Sequence, residues 1–322
     1  MGLIYSDIPE LEGSNTEIAL TNLSELEAAL ENLIEKRLAH LSELSEAIIH
    51  DGGELDIIKS IILSIKSEGL ADSGNVIDEN SHTANAIFSK LSIIERLTVF
   101  KEVIGKMVSE KKIRAKLLFS ENDHSISEDA AERIAYLKNS YNDTAYMQFS
   151  TLFSAPRAAY YGSISDVCES VYNGICEYCI LPLETSGDGK LLSFYEMILK
   201  YGLKINAVYD LDGERGYTRY ALLSKTFAFQ NTSLKSKSRN RYFEFIFNEK
   251  DGISLEDLLE ASSFCSMKLR RIDTLNLSAE KNGKNEYFCP IFKTDGADLQ
   301  TFFAFLTTDC PDYIPVGLYV QI

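Results

Sequence analysis

The chain has 322 residues, 45% of them hydrophobic, enough for two or three domains with sizeable cores. Lysine and arginine number 32 against 48 aspartates and glutamates, and the resulting charge of −16 repels a phosphate backbone and argues against nucleic-acid binding. No apolar run reaches the ~18 residues of a membrane span, the start MGLIYSDIPELEGSN lacks the basic end and apolar core of a signal peptide, and six scattered cysteines fit reduced thiols, so the expected compartment is the cytoplasm.

Residues 16–113 carry helical periodicity. Leu23, Leu26, Leu30, Leu33, Ile34, Leu38, Leu41, Leu44 and Ile48 recur at threes and fours, with Thr16 or Ser24 as a cap. Asp51-Gly52-Gly53 ends that helix. A shorter one is expected over 54–67, with Leu55, Ile58, Ile61, Ile62 and Ile65 as its stripe. A third is expected over 81–116, with Ile87, Leu91, Ile94, Leu97, Val103, Ile104 and Met107. Three such stripes need a bundle or a homodimer to cover them, and 1–118 reads as one helical unit.

From Arg133 the period changes. RIAYL, AAYYG, YCILPL, LKINAVYDL and TRYALLSK read as strands. Between them DTAYMQFSTLF, SISDVCESVYNG (capped by Ser163) and LLSFYEMILKYG read as helices. This alternation predicts an α/β layer with a largely parallel sheet over 133–226. A locally basic linker, TFAFQNTSLKSKSRNR, follows. Residues 240–322 then spell β-α-β-β-α-β: RYFEFIF, GISLEDLLEASSFC, KLRRIDTLNLS, EYFCPIFKT, ADLQTFFAFLTT and IPVGLYVQI, a ferredoxin-like plan. The fold class is thus multidomain, α then α/β then α+β.

The stretch ILPLETSGDG, 180–189, is where chemistry is expected. A buried strand stops at Pro182 and opens into a polar loop holding Glu184, Thr185 and Ser186. Strand ends of this kind hold small anions in α/β proteins. Cys176 and Cys179 have the spacing of a redox or zinc half-site, but no second pair follows, and they read as buried small apolar residues. His40, His50, His82 and His124 show no metal-ligand pairing, so neither metal nor cofactor is expected.

The stretch around Pro182, Glu184, Ser186 and Gly189 resembles the Pro-Ile-Glu-Asn-Ser motif of prephenate dehydratases, with Thr185 in place of Asn. Tyr141 and Ala145 match the family's opening loop, where Asn142 replaces Ser. Thr218 and Arg219 match its Thr-Arg-Phe segment, with Tyr220 for Phe. The order of segments resembles the bifunctional chorismate mutase/prephenate dehydratase. The resemblance implies a mutase-like helical segment, a middle like the periplasmic binding proteins, and a C-terminal ACT domain. It further implies that Thr218 assists departure of a hydroxyl, that Glu184 and Ser186 orient prephenate, and that Thr185, Arg219, Tyr141 and Asn142 line the pocket. Gly252, Asp273 and Thr274 fall in the ACT ligand region, where GISL and DTLN replace the family's Gly-Ala-Leu and Glu-Ser-Arg-Pro.

The chain departs from the pattern in two ways. About two dozen residues separate Tyr195 from Thr218, too few for the family's second lobe. The mutase cations are reduced to Lys36 and Arg37, with Ala19, Ala47 and Gly53-Glu54 near the other expected places and no match among Arg96 to Phe100. The expectation is a truncated, single-lobed member of the family, non-catalytic or regulatory in phenylalanine metabolism. Its ligand would be prephenate or an aromatic amino acid. The alternative is an active dehydratase, with or without mutase activity.

Overall fold

A computed structural model describes residues 13–50, 91–109, 132–213, 216–227, 240–248, 253–279, 283–310 and 312–322. The expected helix over 54–67, the middle of the basic linker (228–239) and Gly252 lie outside them.

Helix α1 (Gly13–His50) is followed by α2 (Ile93–Ser109), which crosses its C-terminal end. The alternation from Arg133 onward forms as the apolar runs dictate. It gives β1 (Arg133–Leu137), α3 (Ser140–Ser150), β2 (Arg157–Tyr161), α4 (Ile164–Tyr172) and β3 (Tyr178–Thr185). Then come β4 (Gly189–Lys190), α5 (Leu192–Lys200), β5 (Lys204–Gly213) and β6 (Gly216–Ser224). Asn139 and Ser163 cap α3 and α4 by accepting backbone N–H groups three residues on. The last part is β7 (Arg241–Ile246), α6 (Leu255–Phe264), β8 (Lys268–Ala279), β9 (Gly283–Lys293), α7 (Leu299–Asp309) and β10 (Ile314–Gln321).

All of these strands join one sheet, in the order β2-β1-β3-β6-β5-β10-β7-β9-β8, with β4 folded back on β3. The sheet is mixed, which corrects the expectation of a largely parallel one. Only β1–β2, β1–β3 and β5–β10 run parallel. The reason lies in connection length: β5 returns into β6 through a hairpin closed by Gly213 and Gly216, and so short a link can only join antiparallel strands. Between Tyr195 and Thr218 the chain makes the rest of α5, then β5 and the start of β6.

The two halves meet where β10 lies parallel to β5, with Gly317 opposite Ile205. A Cβ on Gly317 would fall 2.6 Å from Cβ of Ile205, so glycine is required at this joint. Helices α6 and α7 cover one face of β7–β10 with Phe243, Phe245, Phe292, Phe302 and Phe305, joined by Leu97 and Phe100 of α2 and Leu41 of α1. Helix α3 covers the same face further along, on Ile134, Tyr136, Ile180, Tyr220 and Leu222. Helices α4 and α5 lie on the other face. There Leu181, Leu183, Tyr195 and Ile198 share a core with Tyr242, Leu275, Cys289, Ile291 and Tyr319 of the C-terminal strands. Strands β3 and β8 stand six places apart in the order, about 29 Å in a flat sheet. Their side chains nevertheless touch, at 2.7 Å between Arg271 and Glu184. The sheet therefore curls around the α5 face.

Candidate functional site

At the end of β3 the strand bulges between Pro182 and Glu184, so that Glu184 stands opposite Arg219 and Thr185 opposite Thr218. Successive residues of a strand alternate sides. The sequence-predicted residues therefore divide between two faces.

On the α5 face, Glu184 is buried, at 4% exposure. It accepts hydrogen bonds from Arg271 Nη1 at 2.9 Å, Arg271 Nη2 at 2.7 Å and the Tyr217 hydroxyl at 2.8 Å. Arg219 Nη1 stands 3.6 Å away. Burial alone would raise the Glu184 pKa, but the Arg271 and Tyr217 hydrogen bonds and the charges of Arg271 and Arg219 outweigh it and hold the carboxyl at about 2. Arg219 also grips Asp210 of β5 with two bonds, at 2.6 and 2.8 Å. Arg271 donates to Asp273 at 2.8 Å, and Asp273 lies 3.5 Å from Lys190 Nζ. Lys190, directly opposite Glu184 in the β3–β4 hairpin, forms an ion pair with Glu244 of β7.

The result is one alternating chain: Asp210, Arg219, Glu184, Arg271, Asp273, Lys190, Glu244. It runs from β5 and β6 across the curl to β8 and β7. Its inner end is dry. Lys190 and Glu244 side chains are 5% and 2% exposed. Glu244 further accepts from the hydroxyls of Tyr195 at 2.8 Å and Tyr319 at 3.0 Å, and from the Cys289 thiol at 3.2 Å. Burial opposes its ionisation, but the Lys190 charge and these donors keep its pKa below the usual carboxylate value. Burial also pushes the Cys289 thiol up. Lys190, Arg219 and Arg271 thus each already face a carboxylate.

On the α3 face, Thr185 and Thr218 form a cross-strand pair, both half-buried. Tyr141 projects from the first turn of α3, 65% exposed. Asn142 is buried and spent on structure: its side-chain amide donates to the Leu137 carbonyl at 2.6 Å. Thr185 closes the loop after β3, donating to Asp188 at 2.9 Å and accepting the Asp188 N–H at 3.0 Å. Ser186 accepts the Tyr217 N–H at 3.2 Å. A Cβ on Gly216 would lie 1.8 Å from its Oγ, which explains a glycine there at φ +122°.

Of the expected site residues, the structure gathers Glu184, Arg219 and Asp273 into one network and leaves Thr218, Thr185 and Tyr141 on the other side of the sheet. Thr274 is exposed on β8. Sequence reasoning missed Arg271, Lys190, Glu244 and Asp210. The six cysteines are buried and form no disulfide, and among the described residues no cluster of His, Cys, Asp and Glu could hold a metal ion. In the helical segment, Arg37 pairs with Glu95 and Arg96 with Asp309. Among the described residues, no helix is long and apolar enough to cross a membrane.

No family model and no curated protein matches the chain. Among solved structures, the prephenate dehydratase of Streptococcus mutans is similar at 17% identity and a TM-score of 0.49, over 59% of this chain and 98% of that one. GqqA, described as a novel type of quorum quenching acylase, is similar at 16% identity and a TM-score of 0.45, over 59% of this chain and 95% of that one. The prephenate dehydratase of Arthrobacter aurescens, in complex with L-Phe, gives 11% identity and a TM-score of 0.42, over 58% and 89%.

Proposed function

We propose that this chain is a non-catalytic relative of prephenate dehydratase, with a binding or regulatory role in aromatic amino-acid metabolism, in which an ACT-like C-terminal segment stands where the second lobe would close the cleft. The resemblance of Pro182, Glu184, Ser186, Gly189, Thr218 and Arg219 supports the kinship. One observation carries the loss of catalysis. Glu184, which the resemblance makes a substrate-orienting group, is locked in ion pairs with Arg271 and Arg219, while Thr218 points to the opposite face. Dehydration needs the leaving hydroxyl and the anchored carboxylates of one substrate to meet these groups together. An active dehydratase would need one substrate to reach both sides of a sheet.

The test is a steady-state assay with purified protein and prephenate near neutral pH, against a no-protein control because prephenate also loses water spontaneously. The expected rate equals the control. A rate well above it, abolished by Thr218→Ala, overturns the proposal. Chorismate in place of prephenate tests the mutase in the same way.

A further inference from the structure

The inner end of the ion-pair chain holds a lysine and a cysteine in direct contact. Lys190 Nζ donates to Cys289 Sγ at 3.2 Å. The thiol in turn donates to Glu244 Oε1, also at 3.2 Å. That oxygen is the one that pairs with Lys190. Amine, thiol and carboxylate thus close a triangle. The hydroxyls of Tyr195 and Tyr319 donate to the same carboxylate, and Lys190 Nζ stands 4.6 Å from the centre of the Tyr195 ring. The fold alone brings the pair together: Lys190 lies on β4 and Cys289 on β9, 99 residues on. Other cysteines have other neighbours. Cys168 faces the sulfur of Met197, and Cys176 faces the Tyr161 hydroxyl. An ion pair accounts for Lys190 and Glu244, but it does not call for a sulfur in contact with the lysine nitrogen. The cluster is buried, yet it begins one residue in from the exposed turn 186–189.

We propose that Lys190 and Cys289 form an oxidative modification site, joined under hydrogen peroxide by one bridging oxygen into a reversible Nζ–O–Sγ cross-link. Burial holds the thiol protonated at rest, so its proton must have a route out, and Glu244 supplies it. Sulfur attacks the first peroxide. The O–O bond breaks, the thiol proton passes through Glu244 to the departing hydroxide, and a sulfenic acid and one water result. A second peroxide displaces the sulfenic hydroxyl as water and leaves S–O–OH. Lys190 gives one proton to Glu244 and attacks the sulfur-bound oxygen. The N–O bond forms, the O–O bond breaks, and the departing hydroxide takes an N–H proton and leaves as the third water. Nitrogen and sulfur together lose four electrons, two to each peroxide. Lys190 ends neutral and Glu244 protonated, so the innermost ion pair disappears as the cross-link forms. Geometry favours the oxygen bridge. It brings nitrogen and sulfur only about half an ångström closer than their present 3.2 Å, whereas a direct N–S bond needs about three times that movement in a close-packed interior. An amine already in contact also traps the oxidised sulfur before it climbs to sulfinic acid.

The test treats the full chain with hydrogen peroxide, alkylates free thiols in denaturant, and maps the proteolytic peptides by mass spectrometry. The expected product links the peptides of Lys190 and Cys289 at about 14 Da above their sum, for one oxygen gained and two hydrogens lost. Dithiothreitol is expected to split it and return both residues unmodified. In Lys190→Arg, which keeps the charge but not the amine, Cys289 is expected as sulfinic acid at least about ten times more often than in the wild type. The wild-type map decides even if that variant fails to fold. A Cys289 that still alkylates when the methionines are already sulfoxides overturns the proposal. So does a wild-type Cys289 that goes to sulfinic acid with no linked peptide. A linked pair about 2 Da below the sum is a direct N–S bond and overturns the oxygen bridge.

Discussion

The two faces of the strand ends at β3 and β6 carry different groups, ion pairs on one and hydroxyls on the other, and use them in opposite ways. On the α5 face every charge is spent inside the molecule, in a chain of ion pairs from Asp210 to Glu244 that ties the N-terminal strands to β7 and β8. On the α3 face Thr185, Thr218 and Tyr141 bear hydroxyls that stand at or near solvent. A residue type therefore does not define a site. A carboxylate and an arginine that would grip a substrate in an open cleft become a clasp once another strand reaches them.

The clasp can be broken at its driest point. Lys190→Met leaves Glu244 buried with donors but no counter-charge, and removing one partner of a buried pair costs about 3–5 kcal/mol. Urea unfolding should show that loss in the midpoint. Replacing both partners, Lys190→Met with Glu244→Leu, should recover a large part of it, because two matched apolar residues avoid the desolvation of two charges. If the single variant is neutral, the two faces do not differ as described.

Acid should open the same face next. The Glu184 carboxyl is held at about 2, from an ordinary value of 4.5. A depressed folded pKa contributes stability that is fully present above 4.5 and is lost as pH falls from there toward 2. The loss amounts to about 3 kcal/mol. In Arg271→Ala that acid-dependent loss should shrink, since the main donors to Glu184 are gone, and stability at neutral pH should fall. Equal pH profiles for wild type and Arg271→Ala would show that the clasp contributes nothing to acid sensitivity.

Tyr217→Phe sharpens the comparison with less disturbance. It removes one hydroxyl donor to Glu184 and leaves both arginines. A hydrogen bond to a charged group in a half-buried place contributes about 1–2 kcal/mol. Thermal unfolding should register it as a drop of a few degrees.

How legible all this was in the sequence differs between the faces too. Apart from the two-residue β4, which falls in what reads as a polar loop, the strands from β1 to β10 announce themselves as short apolar runs between amphipathic segments, because local pattern decides local structure. Thr218, Thr185 and Glu184 were found from short motifs, which are also local. The clasp was not, because Arg271 and Glu184 are 87 residues apart and no pattern within a window joins them. Two signals were nonetheless present. RYFEFIF places Glu244 in an otherwise apolar strand, and a buried carboxylate demands a cation. KLRRIDTLNLS places Arg271 and Asp273 two apart, on one side of a strand. The parallel sheet was overestimated although Asp212-Gly213 marks a turn between β5 and β6; the alternation of strands and helices before it was extended over a hairpin it does not cover.

The smallest expected effect lies on the α3 face. Thr218→Ala removes one half-buried hydroxyl from the end of β6 and leaves the ion pairs on the other side untouched. A surface substitution of this kind changes stability by about 0.5 kcal/mol or less. Prephenate turnover should match the no-protein control in both wild type and variant. The two readouts separate the faces. If Thr218→Ala unfolds the protein as readily as Lys190→Met does, both faces are structural. If it leaves stability intact and abolishes a measurable turnover, the α3 face is an active site, and the clasp on the other face merely holds its strands in place.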